Sequence, residues 1–256
     1  MALRLTILGS GTSHGIPMIG CDCAVCRSTD PRDQRSRTSA LFSYDGHHLL
    51  IDTSPELRLQ CVACDVRQVD AILFTHGHAD HVMGLDDVRR FNWLQGGVLS
   101  VYGDANTLAL LRRMFDYAFQ EDPEYPSAKP MLRTVEISGP FELFGRQIIP
   151  IPYLHGSLPV LGYRIGDIAY CPDCSHIPEE SRRLLTGLEV LVLDGLRRRP
   201  HPTHFNLERA IAEAHRIGAR QTYFTHITHE LGHAATESEL PVGMALAYDS
   251  LVCEVS

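Results

Sequence analysis

The sequence predicts an α/β fold with mixed sheets covered by helices. Two observations carry that prediction: short apolar strand-like runs alternate with amphipathic helical segments, and hairpin signals concentrate in the leading half. The strands in chain order are LRLTIL (3–8), TSALFSY (38–44), HHLLIDT (47–53), DAILFT (70–75) and VLSVY (98–102). QIIPIPY (147–153), LGYRIG (161–166), IAYC (168–171), EVLVLD (189–194) and QTYFT (221–225) follow. Asp45-Gly46 and Gly166-Asp167 sit between adjacent strands and read as hairpin turns. Helical spacing covers 54–64, 79–94, 106–119, 178–187 and 206–218. The last of these has Asn206 as N-cap and Gly218 as its stop.

No linker or repeat divides the 256 residues, so a single domain over 1–256 is expected, long enough to bury a full core. Apolar residues make up 44% and charged residues 21%, as in ordinary globular proteins. No apolar run reaches the ~20 residues of a membrane span. MALRLTILGSG reads as a strand and not as a leader, so a cytoplasmic protein is expected. The net charge of −8 gives nucleic acid no global attraction. Arg32, Arg35 and Arg37, and then Arg197, Arg198 and Arg199, form basic clusters that read first as solvated edges.

Eight cysteines without a leader argue against a disulfide framework and direct attention to metal ligation. Fourteen histidines direct it the same way. THGHADH (75–81) closes a buried strand with His76, His78, Asp80 and His81. His76 and His78, two apart in extended chain, project to one side. Asp80 and His81 follow as the chain turns into a helix, so two neighbouring ligand sets face two adjacent ions. Imidazoles with a carboxylate suit Zn²⁺ or Mn²⁺ far better than Ca²⁺.

This H-x-H-x-D-H string resembles the signature of the metallo-β-lactamase-fold hydrolases, which implies an αββα sandwich of two mixed β-sheets flanked by helices. The resemblance also implies a later His, a bridging Asp and a final His at strand ends. The sequence offers His155 in PYLHGS, Asp173 in YCPDCSH and His226 in FTHITH. It thus implies His76, His78 and His155 on one metal, Asp80, His81 and His226 on the other, and Asp173 between them. A bridging anion offsets the repulsion of dications ~3.5–4 Å apart. Asp52 matches a family carboxylate that orients an imidazole, and reads equally well as an ordinary turn residue.

GCDCAVCR places Cys21, Cys23 and Cys26 close enough to wrap one ion, but structural zinc is four-coordinate. Such a cluster resembles the phosphoribosyl cyclic phosphodiesterase branch, which takes its fourth ligand from a His three residues beyond the last catalytic His. That position is His229 in THITHE. Cys61/Cys64 and Cys171/Cys174 are competing C-x-x-C pairs; the first lies in a helical segment and reads more readily as small buried thiols, and the second brackets Asp173, whose implied metal role orients its neighbours differently.

The cofactors implied are two catalytic divalent metals, Zn or Mn, and one structural Zn. A bound pair lowers the pKa of water from 15.7 to about 7 and so supplies a hydroxide nucleophile. Asp80 is expected to ligate and to orient that nucleophile. His204, in LRRRPHPTHFN, resembles the branch's active-site His and is assigned to leaving-group protonation or phosphate contact, with His201 its competitor. Arg197 to Arg199 are candidates for a second phosphate. His14, His47, His48, His176, His215 and His233 are expected to be structural or on the surface.

The function this implies is hydrolysis of a small cyclic phosphodiester such as a phosphoribosyl 1,2-cyclic phosphate. Within enzymes the competitors are a tRNA 3′-processing endonuclease, disfavoured by the acidic charge and the cysteine cluster, and a relative acting in pyrroloquinoline quinone biosynthesis. A metal-binding scaffold without turnover is the alternative outside enzymes, and the intact ligand set argues against it. A small substrate, no nucleic acid, no membrane and a possible homodimer complete the expectation.

Overall fold

The computed structural model describes residues 2–120 and 128–255. Two seven-stranded sheets face each other, with helices on both outer faces, as the sequence predicts. The first sheet contains β1 (Leu3–Gly9), β2 (Ser39–Tyr44), β3 (His47–Ile51), β4 (Ala71–Leu73), β5 (Leu99–Gly103) and β6 (Leu132–Glu136). The second contains β7 (Phe141–Leu143), β8 (Arg146–His155), β9 (Leu158–Ile165), β10 (Ile168–Cys171), β11 (Val190–Asp194), β12 (Gln221–Thr225) and β13 (Met244–Leu246). The last strand, β14 (Val252–Val255), crosses back to pair with β1 and completes the first sheet.

Both sheets follow one plan. β14, β1, β2 and β3 pair antiparallel, then β4, β5 and β6 continue parallel. β7 to β10 pair antiparallel, then β11, β12 and β13 continue parallel. The first hairpin turns through Asp45 and Gly46 at φ 50° and 81°, the left-handed pair that a two-residue turn requires.

Alternation assigns side chains to layers. Leu49 and Ile51 of β3, Ala71 and Leu73 of β4, and Val190 and Val192 of β11 meet between the sheets. Their neighbours Leu50 and Ile72 face the outer helices of the first sheet, and Leu191 and Leu193 those of the second. Strands covered on both faces read as unbroken apolar runs for this reason. Each such side chain contributes roughly 1.5–3 kcal/mol by leaving water.

The helices are α1 (Leu57–Ala63), α2 (Ala79–Val82), α3 (Arg89–Gln95), α4 (Ala105–Met114), α5 (Asp116–Phe119), α6 (Glu179–Arg183), α7 (Leu207–Ile217) and α8 (His233–Glu237). Asn206 caps α7 through its side chain, and Gly218 ends it at φ 71°, as expected. The single helix expected over 79–94 is instead α2, a 3₁₀ turn (Leu85–Val88) and α3. Gly84 marks the break: its N–H donates to the Thr53 carbonyl at 2.9 Å and so leaves the helical ladder, and only glycine fits there, since a Cβ would lie 2.0 Å from the carbonyl oxygen of Ser54. The span 106–119 also divides, at Phe115, into α4 and α5. The sequence reading does not include β6, β7, β13 and β14; all four lie at sheet edges and carry exposed or half-exposed positions that dilute the apolar signal. Among the described residues no helix is long and apolar enough to cross a membrane.

Candidate metal centre

The parallel strands of both sheets end on one edge of the sandwich, and loops after strands in such sheets carry chemistry. Asp52 follows β3, His76 follows β4, Asp173 follows β10 and His226 follows β12, while His155 ends β8 and Asp194 ends β11. Asp52, Asp173 and His226 hold φ values of 60°, 51° and 58°, a left-handed backbone uncommon outside glycine. Strain of this kind, of order 1–3 kcal/mol each, is characteristic of functional sites.

The structure brings every expected donor of the dinuclear set together. His76, His78, His155 and Asp173 present ligand atoms all within 4.8 Å of one another, and so do Asp80, His81, Asp173 and His226. The carboxylate of Asp173 faces both groups. Its Oδ1 lies 3.2 Å from both His81 Nε2 and His226 Nε2, and its Oδ2 lies 3.8 Å from His76 Nε2. Asp80 Oδ2 stands 3.5 Å from His226 Nε2 and 3.6 Å from His81 Nε2. His76 Nε2 and His78 Nδ1 are 3.0 Å apart.

Two features fit this donor set to divalent cations. His81 Nε2 and Asp173 Oδ1 are buried and neither has a hydrogen-bond partner, although they are 3.2 Å apart. Buried polar atoms are seldom left unpaired, and both residues belong to the same close group with Asp80 and His226. The opposite ring nitrogens are meanwhile fixed by other groups. His81 Nδ1 lies 2.7 Å from Asp52 Oδ2, and His155 Nδ1 lies 2.7 Å from the Thr203 carbonyl oxygen. Asp52 also accepts hydrogen bonds from the backbone N–H and hydroxyl of Thr75 at 2.8 and 2.7 Å. Of its two readings, the structure places Asp52 in the imidazole-orienting one.

The electrostatics agree. Burial pushes His76 well below its ordinary pKa and His155 down to about 4, so both are neutral and able to ligate at pH 7. Burial pushes Asp80 up, but the charge of His81 and the hydrogen bond from His226 outweigh it and hold the carboxyl below the usual range. His81 moves the other way: burial lowers it, yet Asp173, Asp52 and Asp80 raise it well above an ordinary histidine. Three carboxylates in so enclosed a space call for positive charge.

The cysteine expectation has the same outcome. Cys21 Sγ, Cys23 Sγ and Cys26 Sγ lie 3.2, 3.4 and 3.7 Å from His229 Nδ1. Cys61, Cys64, Cys171 and Cys174 join no metal-compatible group among the described residues. Three of them are buried and Cys64 is half-buried.

His204 lies over the centre, its ring stacked on His226 at 4.7 Å and 4.5 Å from that of His155. Its Nδ1 is 2.6 Å from Asp194 Oδ2, whose same oxygen accepts from the backbone N–H of Cys174. Sequence reasoning missed Asp194, since EVLVLD reads equally well as a strand with an ordinary terminal Asp. His201 sits further out, 5.1 Å from the His204 ring, and its Nδ1 faces the N–H and hydroxyl of Thr203. The solvated-edge expectation holds for Arg198 and Arg199, paired with Glu239 and Glu230. It is wrong for Arg35, which is 1% exposed: backbone carbonyls and Asp33 hold it inside. His233, expected to be structural, is buried at the start of α8 and its backbone N–H donates to Asp33.

Residues 47–227 match the profile of the β-lactamase superfamily domain. The chain belongs to that superfamily. Its architecture and its donor set place it among the metallo-β-lactamase-fold hydrolases as a metal-dependent hydrolase. The crystal structure of a diphosphatase from the PhnP family superposes with a TM-score of 0.93 at 44% identity, covering 100% of this chain and 98% of that one. The chain is thus a superfamily member of the PhnP branch. An octanoyltransferase from Porphyromonas gingivalis is 39% identical over 97% of this chain, which spans only 51% of that relative's length. Coenzyme PQQ synthesis protein B from Rhodopseudomonas palustris is 27% identical, with 93% of this chain and 94% of the relative covered. Human tRNase Z, short form, shares the fold at TM-score 0.69 and 16% identity, covering 98% of each chain.

Proposed function

We propose that residues 1–256 form one phosphodiesterase unit that hydrolyses a small cyclic phosphodiester, such as a phosphoribosyl 1,2-cyclic phosphate, with two divalent ions. In this reading His76, His78 and His155 hold one ion, Asp80, His81 and His226 the other, and Asp173 both. Cys21, Cys23, Cys26 and His229 hold a separate structural zinc. The observation that carries the reading is the Asp173 carboxylate, with one oxygen toward each group of donors. The similarity to a PhnP-family diphosphatase supports phosphorus–oxygen chemistry.

When bound, the ion pair supplies a hydroxide nucleophile at neutral pH and positive charge for the phosphoryl oxygens. The protein's own groups do the rest. Asp80 fixes its donor beside His226 and has a second carboxylate oxygen to accept a hydrogen bond from attacking water. His204, in its protonated form, gives the Nε2 proton to the departing oxygen and is left as the neutral imidazole that its burial favours. Asp194 holds the Nδ1 side of that ring, so Nε2 is the nitrogen left to work. Neutral His76 and His155 leave their donor nitrogens available at physiological pH.

A coenzyme PQQ synthesis-like role is the second reading, favoured by a curated relative matched over nearly its whole length. Purified protein loaded with Mn²⁺ or Zn²⁺ is tested on a phosphoribosyl 1,2-cyclic phosphate, a linear phosphodiester, a nucleoside diphosphate and a precursor tRNA. The proposal expects the highest kcat/KM on the cyclic ester. Preferred cleavage of the tRNA, or no cleavage of any phosphate ester, contradicts it.

A further inference from the structure

One segment, residues 225–233, feeds both donor clusters. His226 faces Asp80 and Asp173, and His229 faces the cysteines. Arg35 grips this segment from behind. Its Nη1 donates to the Thr228 carbonyl at 3.2 Å, and its Nη2 donates to the Leu231 carbonyl at 2.8 Å. Those carbonyls flank His229 in the chain, and Thr228 lies two residues after His226.

The same guanidinium is anchored elsewhere. Nε donates to the Arg32 carbonyl at 3.0 Å and Nη2 to Asp33 Oδ1 at 2.9 Å. Asp33 Oδ1 in turn accepts the backbone N–H of His233 at 2.8 Å, gripping the far end of the segment. The backbone of Arg35 pairs with Ile16 in both directions at 2.8 Å, and Ile16 opens the stretch that leads into Cys21. Arg35 therefore joins the cysteine loop through its backbone and the histidine segment through its side chain. Nothing in phosphodiester chemistry requires a buried guanidinium here. What its fork supplies is a fixed spacing between several acceptors, which a point charge does not.

We propose that Arg35 is a positioning residue that couples the two centres: it sets the place of His229 against the cysteines and, through the same segment, the place of His226. The proposal rests on the reading that both clusters hold ions. Its consequence is that disturbing this one side chain perturbs both centres, although it touches no donor atom of either.

The test uses Arg35→Lys, which keeps the charge beside Asp33 but loses the fork, in protein loaded with Co²⁺. Thiolate-to-cobalt absorption in the near ultraviolet reports the cysteine centre, and the weaker visible bands report the histidine–carboxylate centre. The expected result is that both sets of bands shift and kcat/KM falls about 10-fold, the scale seen when groups behind metal ligands are altered. Leu111→Ala, a core change on the buried face of α4 that also costs stability, should shift neither set. If Arg35→Lys fails to fold, the pair Asp33→Asn with Arg35→Met removes both buried charges and asks the same question. Wild-type bands in the folded variant, or a shift confined to one centre, overturn the coupling. A Cys23→Ser arm separates the two failures: if its near-ultraviolet spectrum equals that of wild type, the cysteine cluster holds no cobalt and the underlying reading is what fails.

Discussion

Asp52 Oδ2 and His81 Nδ1 lie 2.7 Å apart, both without solvent exposure, and the contact fixes which nitrogen of His81 faces the donor cluster. Asp52→Ala therefore removes an orientation and not a ligand. The expected result is metal affinity lower by about 10–100-fold at the Asp80 group. Titration of metal-stripped protein with Mn²⁺, followed by activity, measures it. Unchanged affinity would return Asp52 to the role of a turn residue.

Cys23→Ser should act on folding more than on chemistry. An ion at 100 times its dissociation constant adds about 2.7 kcal/mol to the folded state. For a chain of this size that corresponds to a fall of about 5–10 °C in Tm when the site is lost. Calorimetry beside metal analysis reads both quantities. An unchanged Tm with unchanged zinc content removes the structural site from the account.

Thiol labelling discriminates among the cysteines. In metal-stripped protein the hydrogen bond from the Cys26 N–H outweighs burial and brings Cys23 down to about 6. Burial pushes Cys61 up to about 12 and Cys253 up to about 11. The thiolate is the reactive form, so Cys23 should alkylate rapidly at pH 7 and slow as the pH falls through about 6, while Cys61 and Cys253 stay inert. Zinc should protect Cys23. Peptide mass analysis after a short iodoacetamide pulse gives the rates, and equal labelling of Cys23 with and without zinc contradicts the assignment.

The extent of the fold and site legible in the sequence follows from how local each signal is. THGHADH carries four donors in one short stretch, whereas His155, Asp173 and His226 follow only from the family resemblance, which places such donors at strand ends that the apolar runs mark. The periodicity over 79–94 runs on through Gly84, and the break there comes from its N–H bonding to the Thr53 carbonyl, a tertiary fact that the periodicity does not carry. Asp194 and Arg35 escaped for the same reason. One is an ordinary strand-end acid until His204 folds onto it, and the other an ordinary arginine until Thr228 and Leu231 arrive from 193 and 196 residues away.

His204→Ala should depend on the leaving group. A p-nitrophenolate departs without protonation, whereas an alkoxide needs a proton. The loss in kcat should therefore approach about 10²–10⁴-fold for an alkyl or ribosyl ester and be much smaller for a nitrophenyl ester. His201→Ala should affect neither strongly. Equal losses on both ester types for His204→Ala would assign this ring to phosphate contact instead.

The dinuclear centre is the central claim, and hydrolysis of bis(p-nitrophenyl) phosphate tests it most directly. The wild-type protein with Mn²⁺ or Zn²⁺ is compared with a folded Asp80→Ala, His81→Ala variant in which the cysteine cluster is untouched. The account predicts metal-dependent hydrolysis by the wild type and only background hydrolysis by the variant. Equal rates in the two proteins contradict it.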